Sequence, residues 1–113
     1  MPTVCDIAGI ETPENSDGIS FLPELLGEEQ EKHDSFYFEN SGGRRSTKQA
    51  IMKDDWKCIR FRVRKTGEST IELYNMKDDP EEQNNVADEY PEKVEKLINL
   101  MNAERTESER FKL

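Results

Sequence analysis

The feature that most constrains the fold is the run from Glu72 to Pro91, which leads from a strand through a turn to a helix start. Strand formers alternate with polar residues at its beginning. Asp79 directly before Pro80 predicts a turn, because Asp can accept a backbone N–H and Pro needs no donor in a first helical turn. Glu82, three residues after Asp79, fits a capping box. We expect Asn84–Asn85 to end the turn, since Asn tolerates the left-handed conformation.

The last helix is predicted from one apolar stripe. Val94, Leu97, Ile98 and Met101 recur at i, i+3, i+4 and i+7, the spacing of one helix face. Pro91 is the predicted first residue, and the acids that follow it complement the helix dipole.

Upstream of this run, short strand patterns alternate with turn signals. The predicted strands and turns are Ser35–Glu39, the turn Ser41–Gly43, Gln49–Lys53, the turn Asp54–Asp55, Trp56–Arg64, the turn Thr66–Glu68 and Ile71–Asn75. The third strand places Ile59, Phe61 and Val63 on one face and Arg60, Arg62 and Arg64 on the other. Short turns between neighbouring strands indicate an antiparallel meander. The fold class is therefore α+β: a four-stranded antiparallel sheet packed against a C-terminal helix.

The N-terminal part is predicted to be one short helix followed by loop. Pro2–Ala8 has Pro near its start and Gly9 as its stop, the usual helix punctuation. Pro23–Leu26 reads as a single helical turn ended by Gly27. Such short helices are marginal alone, so this part is expected to belong to something longer.

Composition limits the classes of function. A hydrophobic content of 33% against 36% charged residues leaves a thin core for a free-standing enzyme and favours a surface that docks on a larger body. The net charge of −9 argues against nucleic-acid binding. Arg44–Lys65 is nevertheless basic, with nine Lys or Arg, and is either a solvated strand face or a surface that faces an anion or another domain.

Cys5 and Cys58 are too few for a disulfide framework or a zinc site, and both are expected to be small buried groups. No apolar run is long enough to span a membrane, and no secretory signal is visible after Met1. The compartment therefore cannot be inferred from the residues alone.

Three local patterns invite a chemical interpretation and have simpler explanations. His33 beside Asp34 could form an oriented base, but no nucleophile lies nearby and a surface histidine is favoured. The acids of Asp78–Glu82 lack the glycine and bidentate glutamate of an EF-hand, so turn and cap chemistry explains them better. Ser41–Arg45 lacks the phosphate-loop pattern, and a hairpin connection is favoured over an anion site.

Taken in order, several motifs resemble the C-terminal end of the sulfatase family, the arylsulfatase-like branch of the alkaline phosphatase superfamily. The matching segments are Pro2–Ile10, Asp17–Gly27, Gly42–Gly43, Ala50–Met52, Asp55–Arg60, Glu72–Asn75 and Asp79–Ala87. They are similar to the family's "PTLLDLAGI", "DGxSLLPLLxG", "WKLI" and "ELYDLxxDPxExxNLA" signatures and cover nearly the whole chain. The resemblance divides the chain into residues 1–34, a helix end and linker from the preceding sulfatase domain, and residues 35–113, the C-terminal subdomain.

The resemblance also implies where the chemistry lies. In the family, a formylglycine nucleophile and a calcium ion lie in a large preceding α/β domain, against which this subdomain docks. Cys58–Arg62 has Cys and Arg at the spacing of the formylglycine motif, but its middle residue is Arg60 rather than Pro or Ala. We therefore reject it as a nucleophile and assign no catalytic, cofactor or metal residue to this chain.

The predicted function is that of the C-terminal part of a sulfatase whose complete form hydrolyses sulfate esters, with this part inactive alone. The alternative is a stand-alone, non-catalytic protein-interaction module. Arg60, Arg62 and Arg64 are the candidate substrate-side or domain-facing residues. The expected partner is the preceding sulfatase domain, without nucleic acid or membrane, and self-association is expected if the docking surface is left exposed. The resemblance implies a periplasmic, secreted or lysosomal parent enzyme.

Overall fold

The structure, a computed structural model, describes residues 1–42, 46–61 and 69–109. It divides into two compact units, Met1–His33 and Asp34–Leu113.

The first unit contains two short helices, each ended by a glycine. Helix α1 spans Pro2–Ala8 and helix α2 spans Leu22–Leu26. Gly9 and Gly27 follow them with φ of 65° and 74°, a conformation that costs glycine little. These observations confirm the predicted helix and the single turn.

The two helices are joined by polar contacts more than by a core. Ser20 Oγ donates to Asp6 Oδ2 at 2.7 Å, and the Phe21 amide donates to Thr3 Oγ1 at 3.2 Å. Thr3 and Cys5 are the buried side chains of α1. Most large apolar side chains of this unit are more than half exposed; these are Met1, Val4, Ile7, Ile10, Phe21, Leu25 and Leu26.

The second unit is a four-stranded antiparallel meander followed by one helix. Its elements are β1 (Phe36–Gly42), β2 (Ser46–Lys53), β3 (Trp56–Phe61), β4 (Thr70–Asn75) and α3 (Pro91–Glu104). The strand order is β1-β2-β3-β4. This confirms the predicted α+β architecture, including the start of α3 at Pro91.

Strand limits differ from the prediction at the first hairpin. Ser41 and Gly42, predicted as turn, continue β1 and pair with Thr47 and Ser46. The pairing extends β2 to Ser46, three residues before its predicted start at Gln49. Polar residues in these positions gave no hydrophobic signal, and ladder pairing overrode the turn preference. Gly43 to Arg45, Arg62 to Arg64 and the predicted turn at Thr66–Glu68 lie outside the described residues.

The core lies between α3 and one face of the sheet. Ile51, Cys58 and Leu73 come from the three strands that follow β1, and Leu97 and Met101 come from the predicted helix stripe. All five are fully or almost fully buried. Burial of Cys58 here and of Cys5 in α1 confirms the prediction that both are small buried groups.

The segment from Met76 to Tyr90 closes the outer edge of β4. The Leu73 amide donates to Asn85 Oδ1 at 3.0 Å, and the Val86 amide donates to the Leu73 carbonyl at 2.9 Å. Asn85 Oδ1 also accepts the Ala87 amide. A loop and one amide side chain therefore pair with backbone groups that an edge strand would otherwise expose.

The turn that precedes this closure depends on Asp79, as predicted. Its two carboxylate oxygens accept the amides of Gln83 and Asn84 at 3.0 and 2.8 Å. The left-handed residue is Glu82, with φ of 57°, rather than Asn84 or Asn85. Glu82 does not complete a capping box, because its carboxylate binds a lysine of β3 instead.

Candidate functional site

The two faces of the sheet have different surroundings, and the strand register assigns each residue to one of them. Residues that are directly paired across strands share a face, and successive residues alternate between faces. Ile51, Cys58 and Leu73 are mutually in register and lie under α3. Ala50 and Ile59 are in register with each other and with Phe38, and lie on the opposite face. We call this second side the open face.

The open face is largely apolar at its centre. Its members on β1, β2 and β3 are Phe36, Phe38, Asn40, Lys48, Ala50, Met52, Lys57, Ile59 and Phe61. Phe36 and Phe38 are 47% and 53% exposed, and their rings stack with centroids 6.5 Å apart. Large apolar side chains clustered in this way on a surface are typical of an interaction site.

Charged groups surround this apolar centre. Lys48 Nζ lies 5.1 Å from the centroid of the Phe61 ring, within cation–π distance. Lys57 Nζ and Glu82 Oε1 form an ion pair at 2.5 Å, with both side chains partly exposed. A shallow groove of about 490 Å³ is lined by Phe38, Ala50, Ile59 and these charged groups. The open face can thus accept an apolar surface and orient it through charges at the rim.

Tyr74 lies on the open face at strand β4, in register with Lys57. It is 8% exposed, and its hydroxyl donates to Glu72 Oε2 at 2.9 Å. Burial, reinforced by that hydrogen bond, raises the pKa of Tyr74 to about 12. The phenol stays protonated at physiological pH and acts as a hydrogen-bond donor.

The face under α3 carries a polar network beside the core. Gln49 is fully buried; its amide donates to the Tyr37 hydroxyl at 2.7 Å, and its Oε1 accepts from Arg60. Tyr37 donates to Glu39 Oε2 at 2.6 Å, and Arg105 donates to the same oxygen at 3.2 Å. Burial, with the Glu39 hydrogen bond next in importance, raises the pKa of Tyr37 to about 12. Each polar side chain of this network has a hydrogen-bond partner, as burial of polar atoms requires.

The structure places Arg60 in this network rather than on the open face. Its NH2 group donates to Gln49 Oε1 at 2.5 Å and to Asn102 Oδ1 of α3 at 2.9 Å. The guanidinium therefore links the sheet to the last turn of the helix. Arg62 and Arg64, the other candidate arginines, lie outside the described residues, so the three are not brought together here.

The remaining candidates from the sequence have structural positions. Cys58 is fully buried, and burial raises the pKa of its thiol to about 11, so it is neither accessible nor ionised at neutral pH. His33 is exposed at the end of the first unit. Among residues 1–42, 46–61 and 69–109, no group of His, Cys, Asp and Glu could hold a metal ion.

Sequence reasoning missed the open face and the network. The aromatic strand was predicted as Ser35–Glu39, but both of its faces carry aromatic side chains, and alternation alone cannot say which face a helix covers. Gln49 is flanked by residues of ordinary strand pattern, so nothing in the sequence signalled its burial or its pairing with Arg60.

The sheet, its single covering helix and the two short preceding helices define the C-terminal subdomain of a sulfatase. The chain belongs to the family described as N-sulphoglucosamine sulphohydrolase, C-terminal, which matches residues 1–110. The resemblance inferred from the motifs is thereby confirmed.

Curated relatives agree with this family assignment. A Delta 4,5-hexuronate-2-O-sulfatase of Bacteroides thetaiotaomicron is 34% identical over 77% of this chain and 18% of its own length. Arylsulfatase K of Xenopus laevis is 28% identical over 85% of this chain and 19% of its own. The chain thus spans about a fifth of the length of the curated relatives it matches.

Solved structures share the fold. One was determined in complex with its substrate D-glucosamine-2-N,6-O-disulfate; it has a TM-score of 0.73 and 28% identity, and covers 90% of this chain and 22% of its own. Another, from work on the metabolism of multiple glycosaminoglycans by Bacteroides thetaiotaomicron, has a TM-score of 0.66 and 25% identity, and covers 89% of this chain and 23% of its own.

In the described part of this chain no helix is long and apolar enough to cross a membrane.

Proposed function

We propose that this chain is the non-catalytic C-terminal subdomain of an enzyme that hydrolyses sulfate esters of sugars. The observation that carries the proposal is the family match over residues 1–110 by a chain that spans only about a fifth of its relatives. The catalytic centre would lie in a preceding domain, and the subdomain would complete the packing of that domain.

The substrate class follows from what the relatives act on. A hexuronate 2-O-sulfate and D-glucosamine-2-N,6-O-disulfate are both sulfated sugars, which makes a sulfated sugar the proposed substrate of the parent enzyme. The family's calcium ion and formylglycine would belong to the preceding domain. The described residues do not fit either group, since Cys58 is buried in the core and no metal-binding cluster is present among them. By the same resemblance, we place the parent enzyme in the periplasm, the lysosome or outside the cell.

The test compares the full-length protein that contains this chain with the chain alone. Both are assayed for sulfate release from a 2-O-sulfated unsaturated hexuronate, from D-glucosamine-2-N,6-O-disulfate and from a chromogenic aryl sulfate. We expect turnover by the full-length protein only. Turnover by the isolated chain would contradict a non-catalytic role, and an inactive full-length protein would favour the alternative of an interaction module.

Arg60, Arg62 and Arg64 remain proposed substrate-side or domain-facing residues. Their basic character suits an anionic substrate class, although the contacts of Arg60 with Gln49 and Asn102 also suit a structural role. Replacing Arg62 and Arg64 by Gln in the full-length enzyme should raise KM for the sulfated sugar. An unchanged KM in both variants would argue against substrate contact.

A further inference from the structure

A second pocket lies at the start of α3, beside Trp56, on the side of the sheet that faces the helix. It has a volume of about 450 Å³, which is within the range of small-ligand sites. Its wall is formed by Glu89, Tyr90, Pro91, Glu92, Lys93 and Lys96. None of these residues belongs to the open face or to the polar network around Gln49.

Tyr90 presents an aromatic platform at this pocket. Its ring packs against Trp56 with centroids 5.2 Å apart at an angle of 59°, yet the residue remains 44% exposed. Because the contact with Trp56 holds the ring in place, a ligand that packs on its exposed part costs little further side-chain entropy. The negative face of an aromatic ring attracts the weakly positive C–H groups on one side of a pyranose sugar.

Two lysines place positive charge next to the platform. Lys93 Nζ lies 4.2 Å from the centroid of the Trp56 ring, a cation–π contact that fixes its position without neutralising its charge. Lys96 follows on the neighbouring turn of the helix and is exposed. Neither lysine forms an ion pair with a carboxylate of the residues that the structure describes. An anionic group can therefore bind both ammonium groups without breaking an existing ion pair.

Glu89 and Glu92 complete the wall with carboxylates. Both residues are exposed, and both can accept hydrogen bonds from sugar hydroxyls, which the charge on the acceptor strengthens. The same carboxylates repel a ligand that is negative on every side. The wall thus fits a sugar with one sulfate group and free hydroxyls better than a polysulfated one.

We propose that the pocket formed by Tyr90, Lys93 and Lys96 is a non-catalytic binding site for a sulfated sugar. The sugar ring stacks on Tyr90, and its sulfate lies between the two ammonium groups. The choice of sulfate as the anion rests on the proposed function of the parent enzyme, whereas the pocket itself does not. Such a site holds a sulfated sugar on the enzyme without taking part in its hydrolysis.

The test is lysine footprinting by brief acylation and peptide mass spectrometry, applied to the isolated chain and to the full-length protein. The probe is 6-O-sulfated N-acetylglucosamine. The comparison ligands are unsulfated N-acetylglucosamine, inorganic sulfate and D-glucosamine-2-N,6-O-disulfate. Lys77, which is exposed and lies outside the pocket, is the matched control. Trp56, the only tryptophan of the chain, reports binding to the isolated chain through its emission.

We expect the probe to slow the acylation of Lys96 about threefold at saturation, because bound sulfate keeps the ammonium group protonated. The acylation of Lys77 should not change. Tyr90→Ala should weaken binding about tenfold, since the platform is lost, while Tyr90→Phe should keep it. Lys96→Gln alters only an exposed side chain, so it tests the site even if Tyr90→Ala does not fold. It should weaken binding about threefold, as measured by Trp56 emission.

Several outcomes would overturn the proposal. Equal protection by the unsulfated sugar would remove the role of the lysines, and equal protection by inorganic sulfate would leave an anion site that does not recognise sugar. Protection in the isolated chain alone would mean that the pocket is covered in the complete protein. Tighter binding of the disulfated sugar would contradict the role of Glu89 and Glu92. None of these measurements requires turnover, so the activity assay and the footprinting test can fail independently.

Discussion

The two faces of the one sheet are used in different ways. The face under α3 combines a small apolar core with a buried network that includes Gln49, Tyr37 and Arg60. The open face has stacked phenylalanines, half-buried aliphatic residues and charges at the rim. The comparison teaches that the more polar face, the one under α3, is the face that this chain buries. Its burial is possible because the groups of the polar network there have hydrogen-bond partners.

The largest expected difference between the faces comes from isoleucine truncation. Ile51 is fully buried, whereas Ile59, on the neighbouring strand, faces the other way and is only partly buried. Ile51→Ala should lower the free energy of unfolding of the isolated chain by about 3 kcal/mol. Ile59→Ala should cost about 1 kcal/mol, because less apolar area is lost. Urea titration measures both, and equal losses would mean that the open face is covered in the isolated chain.

The next effect tests whether the buried network stabilises its face. Gln49→Met keeps the volume but removes one hydrogen-bond acceptor of Arg60 and the amide that donates to the Tyr37 hydroxyl. We expect a loss of about 2 kcal/mol. Asn40→Met on the open face is the control and should change stability by less than about 0.5 kcal/mol. A neutral Gln49→Met would show that water can replace its hydrogen bonds.

Alkaline pH should destabilise both faces. Burial raises the pKa of Cys58 to about 11 and those of Tyr37 and Tyr74 to about 12. The folded state therefore holds these protons more tightly than the unfolded chain, so stability is complete below pH ~9 and falls as pH rises through 11 to 12. Comparing Tyr37→Phe with Tyr74→Phe by urea titration at stepped pH separates the faces. Each substitution should flatten the decline above pH ~10, and an unaltered slope in either would contradict its assigned shift.

The smallest effect on stability is expected from a charge on the open face. Phe38→Glu should change the unfolding free energy of the isolated chain by no more than about 0.5 kcal/mol, because the ring is 53% exposed. It should instead reduce self-association, which sedimentation measures. Asn99→Glu adds the same charge on α3 and should leave self-association unchanged. If the two variants behave alike, net charge rather than the open face controls association.

Much of this fold was predictable because local signals agreed with it. The spacing of Val94 to Met101 and the Asp79–Pro80 turn identified α3 and the loop before it. The sheet's faces were not predictable, since Ile59 belongs to the more apolar side of β3 while Cys58 and Arg60 lie under the helix. Binary patterning cannot distinguish a face that one helix covers from a face reserved for another domain. The conformation of Glu82 also escaped prediction, because tertiary pairing with Lys57 outweighs its intrinsic preference.

Asn85 and Val86 form hydrogen bonds with the outer edge of β4. This pairing limits the ways in which the isolated chain can aggregate when it is concentrated. A strand edge that is already hydrogen-bonded cannot act as a template for fibril growth at that side. The apolar surface that is exposed in the second unit is a face of side chains, and such faces can associate without the directional backbone ladder that a fibre requires. We therefore expect the isolated chain, when concentrated, to associate reversibly through the open face and not through the outer edge of β4.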